Sequence, residues 1–286
     1  MWIIRTLADI VLPSEEYPTV NNSKKKTTTV LPQADKGDYH LVLSWGWLRG
    51  FAHIGVYKAL IEYWYGISSV AGTSMGALVG VFIAAQKTPD EIEEIFTEKS
   101  LYKLLDIAFS RDSMFSAKRI QDIAEKKLSY KSIEDLPLPL TICVADYTQG
   151  KVLYVTEGKI LPYLMASCAI PGVFEPITFE DKILVDGGIF DNFPVHTGKD
   201  KKILWSHVNP RAYDTDNPTK DFALRALELI LARDIWTQRE QCEIFFEPEK
   251  LTEIWLGIFT DPKDIIQIGY EHACTVLTTI NKNLTS

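Results

Sequence analysis

The sequence predicts an α/β fold with a mostly parallel central sheet. Three observations carry that prediction. Short β-branched runs alternate with helical patterns along most of the chain, from His40-Leu41-Val42-Leu43 to the helical stretch 264–283. The pentapeptide Gly72-Thr73-Ser74-Met75-Gly76 stands between a short β-branched run, Ile67–Ala71, and a longer apolar run, Ala77–Ala85. That is the strand–turn–helix layout of a Gly-x-Ser-x-Gly elbow. The chain has 286 residues, 46% of them hydrophobic, enough for one large core.

Residues 1–38 read as an N-terminal extension. Pro13, Pro18 and Pro32, the polar cluster Asn21-Asn22-Ser23 and Lys24-Lys25-Lys26 oppose a packed element across most of it. Its first residues, up to Pro13, suit a short amphipathic helix that docks on the body or, as the alternative, touches a lipid surface. Residues 39–286 then form a single domain. The strand at 40–43 runs into the loop Ser44-Trp45-Gly46-Trp47-Leu48-Arg49-Gly50. A helix from Phe51 to about Tyr65 follows, with Ala52, Val56, Leu60 and Trp64 on one face and Gly66 placed to end it. The elbow comes next. Thr88-Pro89-Asp90-Glu91 is a helix start, with Thr88 as N-cap, Pro89 at the first helical position and Glu91 closing a capping box. Helical patterns continue near 91–98, 101–108 and 116–128. Leu140–Ala145, Val152–Val155, Ile183–Val185, Ile203–Ser206 and Ile254–Leu256 read as strands. Ile160–Cys168, 219–243 and 264–283 read as helices.

The uncharged stretch Gly66–Gln86 has the length of a membrane span. Its four glycines and its strand-like first part instead predict a central strand and a buried helix. A net charge of −8 opposes nucleic-acid binding, which needs a basic footprint. Cys143, Cys168, Cys242 and Cys274 are far apart, as expected of reduced thiols in a reducing compartment. Arg5 and Asp9 interrupt any apolar run too early for a signal peptide. None of the five histidines lies in a metal motif.

The chemistry gathers on three segments. At the elbow, Gly72 and Gly76 leave space where strand and helix cross, and the helix N-terminus directs its N–H groups at Ser74. An activated serine also needs an oxyanion hole and a base. Loop 44–50 supplies outward backbone N–H groups at Gly46, Trp47, Leu48, Arg49 and Gly50. Arg49 adds charge or locks the loop through a hydrogen-bonded fork. Asp186, followed by Gly187 and Gly188, ends the strand 183–185. There it occupies the carboxyl edge of a parallel sheet, where ligands bind. The two glycines turn the backbone sharply and keep the carboxylate uncovered. His53 reads as a packed, hydrogen-bonded core residue. His196, His207 and His272 follow Ser74, so each could complete a Ser-Asp-His triad of the α/β-hydrolase order.

Taken together these segments resemble the patatin-like phospholipase family. Leu41–Ser44 with Gly46, Arg49-Gly50-Phe51 and His53–Val56 is similar to its oxyanion block, and Gly72–Gly76 to its serine elbow. Ala166–Pro176 resembles its substrate-side segment. Asp186-Gly187-Gly188 with Asn192–Val195 resembles its aspartate block. The resemblance implies a three-layer α/β/α architecture, a Ser74–Asp186 dyad without a catalytic histidine, and no cofactor. It implies a lipid or phospholipid substrate, cleaved through an acyl-enzyme; with the reduced cysteines, the expectation is a cytoplasmic protein that touches membrane surfaces transiently. The chain departs from the family's Gly-x-Gly-x-x-Gly at Trp45 and Trp47, which replace two glycines. Two other outcomes follow from that departure or share the dyad: a lipid-binding or scaffolding relative with impaired hydrolysis, and an acyltransferase.

Overall fold

The computed structural model describes residues 37–98, 121, 124–210, 229, 235–254 and 261–285. The extension expected over 1–38, apart from its last two residues, lies outside them. So do the helix near 101–108, most of 116–128, most of 219–243, and the strand Ile254–Leu256 beyond Ile254. Ile254 itself closes a 3₁₀ turn, Glu249–Glu253.

The strands are β1 Tyr39–Leu43, β2 Ile67–Thr73, β3 Leu140–Asp146, β4 Lys151–Val155, β5 Ile177–Phe179, β6 Lys182–Asp186, β7 Lys202–Ser206 and β8 Ile244–Phe246. The described helices are α1 Ala52–Glu62, α2 Met75–Ala84, α3 Pro89–Thr97, α4 Ile160–Ser167, α5 Ile235–Arg239 and α6 Pro262–Thr285. All eight strands among the described residues join one sheet. Its parallel part runs β3-β2-β1-β7-β8. β4 and β6 pair antiparallel with β3, and β5 antiparallel with β6. The strands β5 and β8 add to those read from the sequence, and β8 falls just beyond the stretch 219–243 read as one helix.

The parallel strands are largely apolar because both faces are covered. Leu41 and Leu43 join the main core with α1, α2, α3 and α6. Val42, Ile203 and Trp205 face the other way, against Phe193, Val195 and Ile235. Every residue of α2 is buried, so the membrane-like stretch 66–86 is a central strand and its covering helix. No helix among the described residues is long and apolar enough to cross a membrane. The capping box forms as expected: Glu91 N–H donates to Thr88 Oγ1 at 3.2 Å, and Thr88 N–H to Glu91 Oε2 at 2.8 Å. Helix α1 stops earlier than expected. Trp64, with φ 65°, takes the left-handed position that Gly66 was expected to hold.

The register of β3 decides where the site lies. Ile142 and Cys143 pair with both β2 and β4, so these two flank β3 on opposite sides. Val144–Asp146 pair with both β4 and β6, which puts β6 on the β2 side. Thr73, the last residue of β2, is opposite Cys143; Asp186, the last residue of β6, is opposite Val144. The two strands therefore share one lane beside β3 and meet end to end.

Candidate active site

Ser74 sits at that meeting point. Its backbone is at φ 56° and ψ −124°, a strained conformation for a residue with a side chain. The surroundings hold it there. Its N–H donates to Ser167 Oγ at 2.9 Å, and the Ser167 hydroxyl donates to the Cys143 carbonyl at 2.7 Å. Its carbonyl takes the N–H groups of Ala77 and Leu78, the first bonds of α2. Both elbow glycines are sterically required. A Cβ on Gly72 would lie 2.5 Å from the Gly76 carbonyl carbon, and one on Gly76 would strike the Leu43 carbonyl oxygen. The Ser74 side chain does not cap its helix, so the hydroxyl stays available at the N-terminus of α2.

Asp186 arrives from the opposite direction. It was expected at the carboxyl edge of a parallel sheet; its strand is antiparallel to β3, and it meets Ser74 because β6 continues the lane of β2. The carboxyl is buried. Its Oδ1 accepts the Gly188 N–H at 2.8 Å, and Oδ2 has no second hydrogen bond of good geometry. Burial pushes its pKa up to about 7, against the Gly188 hydrogen bond and the Ser74 hydroxyl, which both pull it down. Ser74 is thus close enough to act on the carboxyl without making a well-formed bond to it. The backbone turns sharply here as expected, though neither Gly187 nor Gly188 takes a positive φ. The turn is a 3₁₀ turn, Gly187–Ile189. Gly187 is needed for closeness, since a Cβ would lie 2.6 Å from the Cys143 backbone. Gly188 supplies the N–H.

Loop 44–50 closes into a 3₁₀ turn, Trp47–Phe51. The leading N–H groups of such a turn have no acceptor within it. The turn lies against the start of α2, where a Cβ on Gly50 would strike Met75 Cγ. Of the two tryptophans standing where the family pattern has glycine, only Trp47 has a positive φ, 48°, at a cost of about 1–2 kcal/mol. Trp45 is buried, and its N–H donates to Asn192 Oδ1 at 2.9 Å. Arg49 makes the expected fork, donating through Nε and Nη2 to the Ile254 carbonyl at 3.1 and 3.0 Å. His53 anchors the loop from beneath. Burial pushes its pKa down to about 3. The neutral ring donates from Nε2 to the Ser44 carbonyl at 2.9 Å, so Nδ1 accepts the Ser206 hydroxyl at 2.8 Å.

The structure therefore brings together Ser74, Asp186 and loop 46–50. It engages the three triad histidines elsewhere. His196 Nδ1 is 3.7 Å from Asp191 Oδ2, and its ring packs edge-on against Tyr154. His207 Nδ1 is 2.9 Å from Glu247 Oε1, and His272 Nε2 accepts the Glu247 N–H at 3.1 Å. Two supporting residues escaped the sequence reading. Ser167 holds the elbow, and Asn192 ties the aspartate loop to loop 44–50. Both lie in blocks singled out by resemblance, but their partners are 93 and 147 residues away, beyond the reach of any local pattern.

A family model described as patatin-like phospholipase matches residues 41–198, more than half of the chain. An uncharacterised NTE family protein of Mycobacterium tuberculosis is 37% identical over 157 residues, covering 54% of this chain and 44% of that protein. Patatin-like phospholipase domain-containing protein 6 of Homo sapiens is 32% identical over 162 residues, covering 54% of this chain and 12% of that protein. The match thus spans less than half the length of these relatives. Among solved structures, VipD from Legionella pneumophila shares the fold. Its TM-score is 0.52 at 15% identity, over 86% of this chain and 68% of that one.

Proposed function

Because the chain belongs to the patatin-like phospholipase family, we propose that it is a lipid acyl hydrolase working through a Ser74–Asp186 dyad. The observation that carries this reading is a buried carboxyl beside a strained serine, its pKa raised to about 7. A carboxylate in water is too weak a base for a hydroxyl; one brought near neutrality by burial is matched to the task. Ser74 Oγ attacks the ester carbonyl carbon and its proton passes to Asp186. The oxyanion that forms takes N–H groups from loop 46–50. Collapse expels the alcohol, which leaves with the Asp186 proton and gives an acyl-serine. Water, deprotonated by Asp186, then releases the fatty acid and restores Ser74. The chemistry calls for neither metal nor cofactor. The substrate is a lipid or phospholipid met at a membrane surface in transient contact.

The test is fatty-acid release from phospholipid vesicles and from a short aryl ester. Ser74→Ala and Asp186→Asn should each lower turnover by about a thousandfold or more. Near-normal turnover in Asp186→Asn, with loss in His196→Ala or His272→Ala, would replace the dyad by a triad.

The strain at Trp47 favours a second reading, lipid binding without hydrolysis. A fluorophosphonate that fails to label Ser74 while vesicle binding persists would select it. Ester formation with an added alcohol would instead mark an acyltransferase.

A further inference from the structure

We propose that Asp191 is a positioning residue for the base: it clamps the turn after Asp186 to the strand that carries Ser74, and so holds the Asp186 carboxyl towards the serine. This inference rests on the reading of Ser74 and Asp186 as a dyad and adds a residue to it. The pairing of β6 with β3 fixes the Asp186 backbone, but not the direction of its carboxyl. That carboxyl takes the Gly188 N–H on Oδ1, and Oδ2 makes no hydrogen bond of good geometry. What keeps Gly188 in place therefore orients the base.

The turn closes on Asp191. The N–H groups of Phe190 and Asp191 both donate to the Gly187 carbonyl, at 3.0 and 2.9 Å. Asp191 in turn is gripped by three donors that stand in one row across the sheet. Thr73 of β2 is opposite Cys143 of β3, and Cys143 is opposite Tyr154 of β4. The Thr73 hydroxyl and the Cys143 thiol donate to the Asp191 carbonyl at 3.4 and 3.2 Å. Burial pushes the Cys143 pKa up, which keeps the thiol a donor. The Tyr154 hydroxyl donates to Asp191 Oδ2 at 2.7 Å, and the Phe193 N–H to Oδ1 at 2.8 Å. His196 Nδ1 comes within 3.7 Å of Oδ2. The Tyr154 bond is short and made to a carboxylate, a kind about twice as strong as a neutral hydrogen bond.

The row ends on Thr73, the residue before Ser74. Asp191 thus joins the turn of the base to the strand of the nucleophile. The next residue, Asn192, takes the Trp45 N–H, so two consecutive residues bind the turn to both β2 and loop 44–50. Without Asp191 the turn leaves the strand ends, the Gly188 N–H goes with it, and the carboxyl swings from Ser74 towards water. A misplacement of about 1 Å at a reacting group costs about a hundredfold in rate.

Two measurements separate positioning from folding alone. The first is turnover of a short aryl ester. Asp191→Ala should lower kcat about a hundredfold with KM within about twofold of the parent, and Tyr154→Phe should lower kcat about tenfold. Asp191→Asn keeps an acceptor for Phe193 and a polar group facing Tyr154, and should recover kcat to within about threefold. The second measurement needs no catalysis. Asp186→Asn raises the urea midpoint at pH 8 only while the carboxylate is held in its buried place. That gain should vanish in Asp191→Ala and persist in Asp191→Asn. Both variants remove the same charge, so their difference reports the hydrogen bonds. If Asp191→Ala does not fold, Tyr154→Phe, which deletes a single oxygen, decides by the same two measures. Parental kcat and an unchanged midpoint gain in folded Asp191→Ala would overturn the clamp, as would an Asp191→Asn variant as impaired as the alanine one. Turnover that survives Ser74→Ala would remove the dyad, and the midpoint gains would then decide the clamp alone.

Discussion

Ser74 and Trp47 both hold a positive φ without being glycine, 56° and 48°, and their surroundings bear that strain in opposite ways. At the elbow, glycines at 72 and 76 clear the crossing of β2 with α2, and Ser167 clamps the strained N–H. The serine is small, so the cost is confined to its own backbone. In loop 44–50 the strained residue carries the largest of side chains. Its indole stacks on Phe174. The elbow is rigid because backbone meets backbone, while the loop is held through side chains: Arg49 on Ile254, His53 on Ser44 and Ser206, Asn192 on Trp45.

That contrast can be broken from either side. The largest effect belongs to Asp186, the base of the proposed dyad. Burial raises the Asp186 pKa, so the folded chain binds its proton more tightly than the unfolded one. Stability therefore falls as pH rises from about 3.8 to about 7, and the penalty is complete above that. At about 1.4 kcal/mol per tenfold change in proton affinity, the ionised carboxylate costs the fold up to about 4 kcal/mol. Asp186→Asn, which keeps an acceptor for Gly188, should be inactive yet more stable than the parent at pH 8 and no different below pH 4. Urea midpoints at the two pH values measure this; equal midpoints at pH 8 would contradict it. Turnover of the parent should rise with pH through about 7, as the base ionises.

Next is the steric lock of the elbow. Gly76→Ala should destabilise by about 3 kcal/mol or more, because its Cβ meets the Leu43 carbonyl and neither backbone can yield. Gly80→Ala, one turn along the same helix, places its Cβ 3.1 Å from a Val70 methyl carbon. It should change stability by less than about 1 kcal/mol, since a side chain gives way more easily than backbone and alanine suits a helix. Denaturant titration of the pair separates the two cases.

The smallest effect is at the loop. Trp47→Gly relieves the left-handed strain but loses the stack on Phe174 and adds backbone freedom, so its stability should stay within about 1 kcal/mol of the parent. A large loss would show that the indole is a structural wedge.

Much of the frame was legible in the residues. The alternation of β-branched and helical runs yields the parallel strands. Thr88 and Glu91 announce their capping box three residues apart, and the spacing of Gly72 and Gly76 announces a crossing. The Arg49 fork was legible as a type of interaction, since a guanidinium beside a loop seeks a planar acceptor, but its partner, 205 residues on, was not. The direction of β6 was not legible either. The turn Glu180-Asp181 sets β5 antiparallel to Lys182–Asp186, but nothing near that strand states that it pairs with the distant β3 or in which direction.

The sequence by itself determined the turns, the caps, the serine at its elbow and the order of the blocks, because each depends on sterics and hydrogen bonds among residues a few positions apart. The tertiary structure alone decided that β6 enters the lane of β2 from the other end and sets Asp186 before Ser74. It alone held the three histidines elsewhere, recruited Ser167 and Asn192 as supports, and joined Trp47 to Phe174. Those outcomes depend on sheet register and on close packing between distant segments, and the physics that settles them acts only once the chain has closed on itself.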